Sequence, residues 1–339
     1  SMTFLKKGFY FMTLLSVNFL LTVSAENNPS ELNIHQTAFE GEELISFISI
    51  NDSEGNLIKD ISEENFLVNY GEDPGNVLDL KKFDSRTYGT AYTFMVDVSK
   101  SVRKNNFNLI KQSILEWIDS MNPGDAVSII TFGEDVIVLN DFSYDRNELI
   151  ETVNNLTRTD LKTRLHDGLI KAHNLSSIRN IKLPTRRAII CLTDGVNEFI
   201  GGATKREVIE TLSNNRLPIY TIGFTENLDQ ERRQGIEAMA EFARASGGLF
   251  FDANKLSIEG AYRLARNRID ATYMLYSSCD SCDYDGSSIK LYLSVSFKNV
   301  VLDAAIPLQL LSSKKTISPF QRGERGKTFS INYQQGLMI

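Results

Sequence analysis

Asp97, Ser99 and Ser101 stand on alternate positions where the apolar run Phe94-Met95-Val96 ends. One carboxylate and two hydroxyls at that spacing can turn their oxygen atoms to one side as a strand opens into a loop. Two more oxygen donors follow at other strand ends. Thr163 lies in a polar loop before Leu165-His166-Asp167-Gly168-Leu169, and Asp194 falls directly after Arg187-Ala188-Ile189-Ile190-Cys191-Leu192-Thr193 and before Gly195. Oxygen donors of this kind suit a hard divalent cation such as Mg²⁺, which takes near-octahedral ligands and keeps some of its waters. Taken singly, Asp97 and Ser99 could merely cap a helix, and Asp194-Gly195 could be only a turn. The complete set predicts a cation site.

The elements around these residues must bring them together. A continuous apolar run bounded by Asp-Gly predicts a fully buried parallel strand. The central region alternates such strands with helical periods, the mark of an α/β fold with a doubly wound, mostly parallel sheet. Phe107, Ile110, Ile114, Trp117, Ile118 and Met121 recur at helical spacing and place Trp117 in a core stripe. Further helices are expected over 146–156, 165–175, 205–214, 233–245 and 258–270, and strands over 126–132, 188–193, 219–224 and 249–251. In an open α/β sheet, ligands collect at the carboxyl ends of the strands. All five donors are expected on that rim.

In order and type, Asp97, Ser99, Ser101, Thr163 and Asp194 resemble the metal ion-dependent adhesion site of von Willebrand factor A-type domains, whose sheet is Rossmann-like. The resemblance covers Tyr92 to Asp270. It implies that Ser99, Ser101 and Thr163 coordinate Mg²⁺ or Mn²⁺, with Asp97 and Asp194 acting largely through bound waters. One coordination position is then open for an Asp or Glu carboxylate of a protein partner. The rim, including Lys100, Arg164 and the loop 197–202, would select among acidic partners.

Composition narrows the function further. The chain has 339 residues, 43 acidic against 36 basic, and a net charge of -7, which argues against a nucleic-acid partner. Lys6 and Lys7 precede an apolar run from Gly8 to Val23, and Val23-Ser24-Ala25 has the small-residue form of a cleavage site. Export to a periplasmic or extracellular space is expected, with no membrane span after cleavage. An uncleaved anchor is the alternative, although the run is shorter than the roughly 20 apolar residues of a bilayer span. Cys191 lies within an apolar strand. Cys279 and Cys282 could close a local disulfide or remain free thiols.

Alternating segments such as Ile45-Ser46-Phe47-Ile48-Ser49-Ile50 and Phe66-Leu67-Val68-Asn69-Tyr70 predict antiparallel strands before the central module. Strands are expected again over 273–276, 289–295 and 300–311. The expected organisation is a targeting segment 1–25, an N-terminal β domain 26–90, the A-type module 91–270, β-strands 271–312 that return to the first β domain, and a polar tail 313–339. The module would then be an insertion in one β-sandwich, or be flanked by it. The expected function is an exported, non-enzymatic adhesion or complex-assembly module. Two alternatives stay open: a metal-assisted hydrolase using Asp194 or His166 as base, and a structural envelope protein with a vestigial site.

Overall fold

The computed structural model describes residues 28–178, 180, 182–225 and 229–311. The expected targeting segment 1–25 and the polar tail 313–339 lie outside the described residues. No helix among the described residues is long and apolar enough to cross a membrane.

The first β region contains β1 (Glu31–Glu40), β2 (Glu43–Asn51), β3 (Phe66–Tyr70), β4 (Asp73–Pro74) and β5 (Asn76–Lys82), followed by the short helix α1 (Ser85–Tyr88). Next come β6 (Ala91–Asp97), α2 (Lys104–Asp119), β7 (Ala126–Phe132), β8 (Val136–Ser143), α3 (Arg146–Asn154), α4 (Leu165–Ser176) and β9 (Arg187–Thr193). They are followed by α5 (Lys205–Asn214), β10 (Ile219–Gly223), α6 (Gln230–Ser246), β11 (Phe250–Asp252), α7 (Ala253–Leu256) and α8 (Ile258–Asp270). The last strands are β12 (Tyr273–Ser278), β13 (Asp285–Phe297) and β14 (Val300–Leu311).

The central six-stranded sheet runs β11-β10-β9-β6-β7-β8, and only β8 is antiparallel to its neighbour. Every residue of β6, β7, β9 and β10 is buried, as a parallel sheet covered on both faces requires. Phe94, Val96 and Ile190 point to one face and pack with Ile114, Trp117 and Tyr262 of α2 and α8. Met95, Ile189 and Cys191 point to the other face, towards Leu169, Leu212 and Phe242 of α4, α5 and α6. Strand alternation alone thus divides the apolar side chains between two cores.

Strands on either side of this α/β unit share two further sheets, β1-β2-β12-β5 and β14-β13-β3-β4. Their facing sides meet in a third core that includes Ile34, Ile48, Tyr70, Leu275, Leu291, Leu293 and Ile306. Cys279 and Cys282 are joined by a disulfide in the loop after β12.

Beta1 reaches the α/β unit through a bulge. The register with β2 shifts between Ile34 and Gln36, and an inserted residue of this kind re-aims the side chains beside it. Ile34 stays in the sandwich core, whereas His35 and Gln36 bind the other unit. Gln36 Nε2 donates to the Thr185 carbonyl at 2.7 Å, and its Oε1 accepts from the Arg187 amide at 2.8 Å. His35 Nδ1 donates to the Gly247 carbonyl at 2.6 Å, which leaves Nε2 to accept from the Ser49 hydroxyl at 2.8 Å. The imidazole is therefore satisfied in its neutral form.

Gly247 caps α6 in the left-handed region, at φ 86°. A Cβ there would lie 2.4 Å from the His35 carbonyl oxygen. Strained backbone and a backbone clash coincide, so Gly247→Ala should cost about 2–4 kcal/mol. Urea unfolding checks this, and a loss below about 1 kcal/mol would mean that the two units separate there without penalty.

Candidate metal centre

Strand order reverses around β6: the chain goes first to β7 and β8 on one side, then to β9, β10 and β11 on the other. The crevice beyond the carboxyl ends of β6 and β9 is the switch point at which α/β sheets hold ligands. Asp97 ends β6, and Asp194 directly follows β9.

Three of the five expected donors are joined there by hydrogen bonds, and Asp194 lies beside them. The Asp97 carboxylate is buried; Oδ1 accepts from the Ser99 amide at 2.9 Å, and Oδ2 from the Thr193 hydroxyl at 3.1 Å. The Ser99 and Ser101 hydroxyl oxygens are 2.7 Å apart, with Ser99 buried and Ser101 exposed to the crevice. Asp194 Oδ1 accepts from the Val196 amide at 3.1 Å, and its Oδ2 lies 3.7 Å from Arg232 Nε.

Thr163 reaches the same rim through its backbone. The preceding loop is fixed to the end of β6 by a parallel bridge between Ser99 and Asp160, with the Lys100 amide donating to the Asp160 carbonyl at 2.8 Å. The Thr163 carbonyl in turn accepts from the Glu198 amide at 3.0 Å, which ties it to the loop after β9. Its side chain is buried, and among the described residues no hydrogen bond links its hydroxyl to the other four donors.

Electrostatics favour a cation at this point. Burial pushes the Asp97 carboxyl up to about 6, and the neighbouring charge of Asp194 adds to that effect. Asp194 is also raised, by burial first, with Arg232 pulling it back. A buried carboxylate with a second, half-buried carboxylate beside it resists ionisation unless positive charge stands near. No group of three or more His, Cys, Asp or Glu suited to a metal occurs among the described residues, so cation ligation here would draw on hydroxyls. Hydroxyl and carboxylate oxygens suit Mg²⁺ or Mn²⁺ better than soft metals, and the residues present fit the expected group.

Two participants are invisible to motif reading. Thr193 is the last residue of β9 and bonds Asp97 while accepting from the Gly195 amide at 3.3 Å. Arg232 arrives from the first turn of α6. Gly195, at φ 79°, makes that approach possible, because a Cβ would lie 2.2 Å from the Gly235 carbonyl oxygen of the same helix. The expected rim is partly engaged: Arg164 stacks 3.3 Å from the Phe199 ring centroid and lies 3.6 Å from Asp167, while Lys100 is exposed. A hydrolytic triad of Ser99, His166 and Asp194 is not assembled. His166 Nδ1 donates to the Ala203 carbonyl at 2.9 Å, and the Ser99 hydroxyl pairs with Ser101.

Residues 93–259 match the family model of the von Willebrand factor type A domain. Human inter-alpha-trypsin inhibitor heavy chain H1 is 25% identical over 147 residues, covering 40% of this chain and 16% of that relative. The chain thus spans a small part of the curated relative it matches. Among solved structures, a von Willebrand factor type A protein from Catenulispora acidiphila is 11% identical, with TM-score 0.44, over 85% of this chain and 75% of the other. Proximal thread matrix protein 1 from the mussel byssus, with a zinc-occupied MIDAS motif, is 17% identical with TM-score 0.41, over 57% and 48% of the two chains. The six-stranded, mostly parallel sheet agrees with the matched family, and the chain contains a von Willebrand factor type A domain in its central segment.

Proposed function

We propose that the chain is an exported, non-enzymatic binding module that holds Mg²⁺, or Mn²⁺, through Ser99, Ser101, Thr163, Asp97 and Asp194 and captures a carboxylate of a protein partner. The observation that carries this reading is the meeting of the paired Ser99 and Ser101 hydroxyls with the buried Asp97 carboxyl and the half-buried Asp194, whose charge raises Asp97 further, at the sheet's switch point. A bound divalent cation supplies an electrophilic centre for a partner's carboxylate. The protein's own groups do the rest. Asp97 is aimed by the Ser99 amide and Thr193 hydroxyl, and the Asp160 bridge keeps the Thr163 loop against β6. The expected targeting segment supports export, and the family match supports adhesion or complex assembly.

Isothermal titration with Mg²⁺ and Mn²⁺ tests the reading. The wild-type chain should bind one cation, and Ser99→Ala or Thr163→Val should weaken it by about 10–100-fold, the range seen when groups supporting a metal site are lost. Undiminished affinity in both variants would place the cation elsewhere.

A further inference from the structure

Arg232 is shared between two carboxylates. From the first turn of α6 its Nε lies 3.7 Å from Asp194 Oδ2, while its Nη1 donates to Asp229, the N-cap of the same helix. Arg232, Asp194 and Ser101 line one crevice of about 170 Å³, so the guanidinium stands in the same space as two of the cation residues. The Arg232 and Asp194 side chains are 35% and 18% exposed, and water screens their attraction only in part. Of the charges that act on Asp194, Arg232 has the largest effect, ahead of the acids Glu231 and Asp229.

A divalent cation draws on the same negative charge of Asp194 that Arg232 neutralises. The two positive charges repel each other across that carboxylate, so cation binding costs part of the attraction between Arg232 and Asp194. The cost is limited if the guanidinium keeps another acceptor. Asp229 provides one: its Oδ1 accepts from the Arg232 amide at 2.8 Å and its Oδ2 from the guanidinium, so the carboxylate is held in place by the backbone of α6. We propose that Arg232 is an internal counter-charge that competes with the cation for Asp194, and that Asp229 moderates the competition by retaining the guanidinium when the cation binds. The proposal rests on the cation reading above and adds to it a residue that limits affinity.

Isothermal titration of the full chain with Mg²⁺ at pH 8 provides the test. R232Q should bind Mg²⁺ about fivefold more tightly than the wild type, the factor equivalent to one partly exposed ion pair. D229N should bind it more weakly, because Arg232 then has Asp194 as its remaining carboxylate, while asparagine still caps the helix. Added to R232Q, the D229N substitution should have no further effect on affinity. Urea unfolding gives a second readout. R232Q should be less stable than the wild type in EDTA, and the gap should narrow in saturating Mg²⁺, whereas a merely structural arginine would leave it unchanged. Mg²⁺ binding that R232Q leaves unchanged or weakens overturns the competition alone, and a D229N effect that persists without Arg232 overturns the part given to Asp229. Failure of both the wild type and R232Q to bind Mg²⁺ brings down the cation reading and the competition together.

Discussion

In EDTA at pH 8, the Asp97→Asn chain should be more stable than the wild type, and in excess Mg²⁺ it should be less stable. The native carboxyl titrates near 6 instead of 3.8, so the native state binds the proton more tightly than the unfolded chain. For an acid raised in this way, stability is lost as pH rises from about 4 to 6. The full linkage at pH 8 is about 3 kcal/mol. Asparagine removes the charge, keeps an acceptor for the Ser99 amide and can donate to the Thr193 hydroxyl. Its own polar burial takes back about 1 kcal/mol, leaving a lead of about 2 kcal/mol without metal. Mg²⁺ at a hundredfold excess over its dissociation constant adds about 2.7 kcal/mol to the wild type and nothing to a variant that does not bind it. Thermal unfolding of both chains in EDTA and in Mg²⁺ should therefore show their order reversing. A metal response of equal size in the two chains would remove Asp97 from the site.

Acid should weaken the junction between β1 and α6 through His35. Burial, reinforced by the charges of Arg186 and Arg216, lowers its pKa from 6.5 to about 3, against the opposing effect of its bond to the Gly247 carbonyl. Below pH 6.5 the unfolded chain takes up a proton that the native chain refuses. Stability then falls as pH drops towards 3. The loss reaches about 3 kcal/mol at pH 4. The buried acids Asp97 and Asp125, both raised to about 6, work in the opposite sense over part of this range. Comparison with His35→Gln therefore isolates the histidine. Urea unfolding at pH 8 and pH 4 should show the wild type losing about 3 kcal/mol more than the variant. Parallel losses would mean that the imidazole accepts its proton in place.

The parallel sheet was legible because its strands are buried on both faces and appear as unbroken apolar runs. Alpha8 and β14 have the limits expected from periodicity alone, Ile258–Asp270 and Val300–Leu311. Beta1 was not expected, because the bulge at His35 and Gln36 interrupts the alternation that marks an antiparallel strand. Beta8 was hidden for a different reason. Ile137 and Leu139 are exposed at the sheet edge although apolar, so the half-buried pattern vanishes from the residue types. At the candidate site, Asp97, Ser99 and Ser101 could be read together because a single loop carries them. Thr193 looked like one more strand residue, and its bond to Asp97 depends on the β6–β9 alignment. Arg232 could not be found from spacing, since only the close packing of Gly195 on Gly235 brings α6 to the crevice.

The placement of β12 between β2 and β5 constrains how the molecule can assemble. Tyr273 pairs with both Ile48 and Lys82, so the sheet that begins with β1 lacks an inner strand until the whole α/β unit has been synthesised. Closing so long a loop in a disordered chain is entropically costly, and pairing of distant strands is slow. A folded α/β unit shortens that path, because it holds its entry at Ala91 and its exit at Asp270 in one compact body. During synthesis, β2 and β5 present unpaired edges, which are templates for association with other chains. The α/β unit would thus act as an internal scaffold that closes its neighbour, and damage to its core would surface first as misassembly of strands lying far from the crevice.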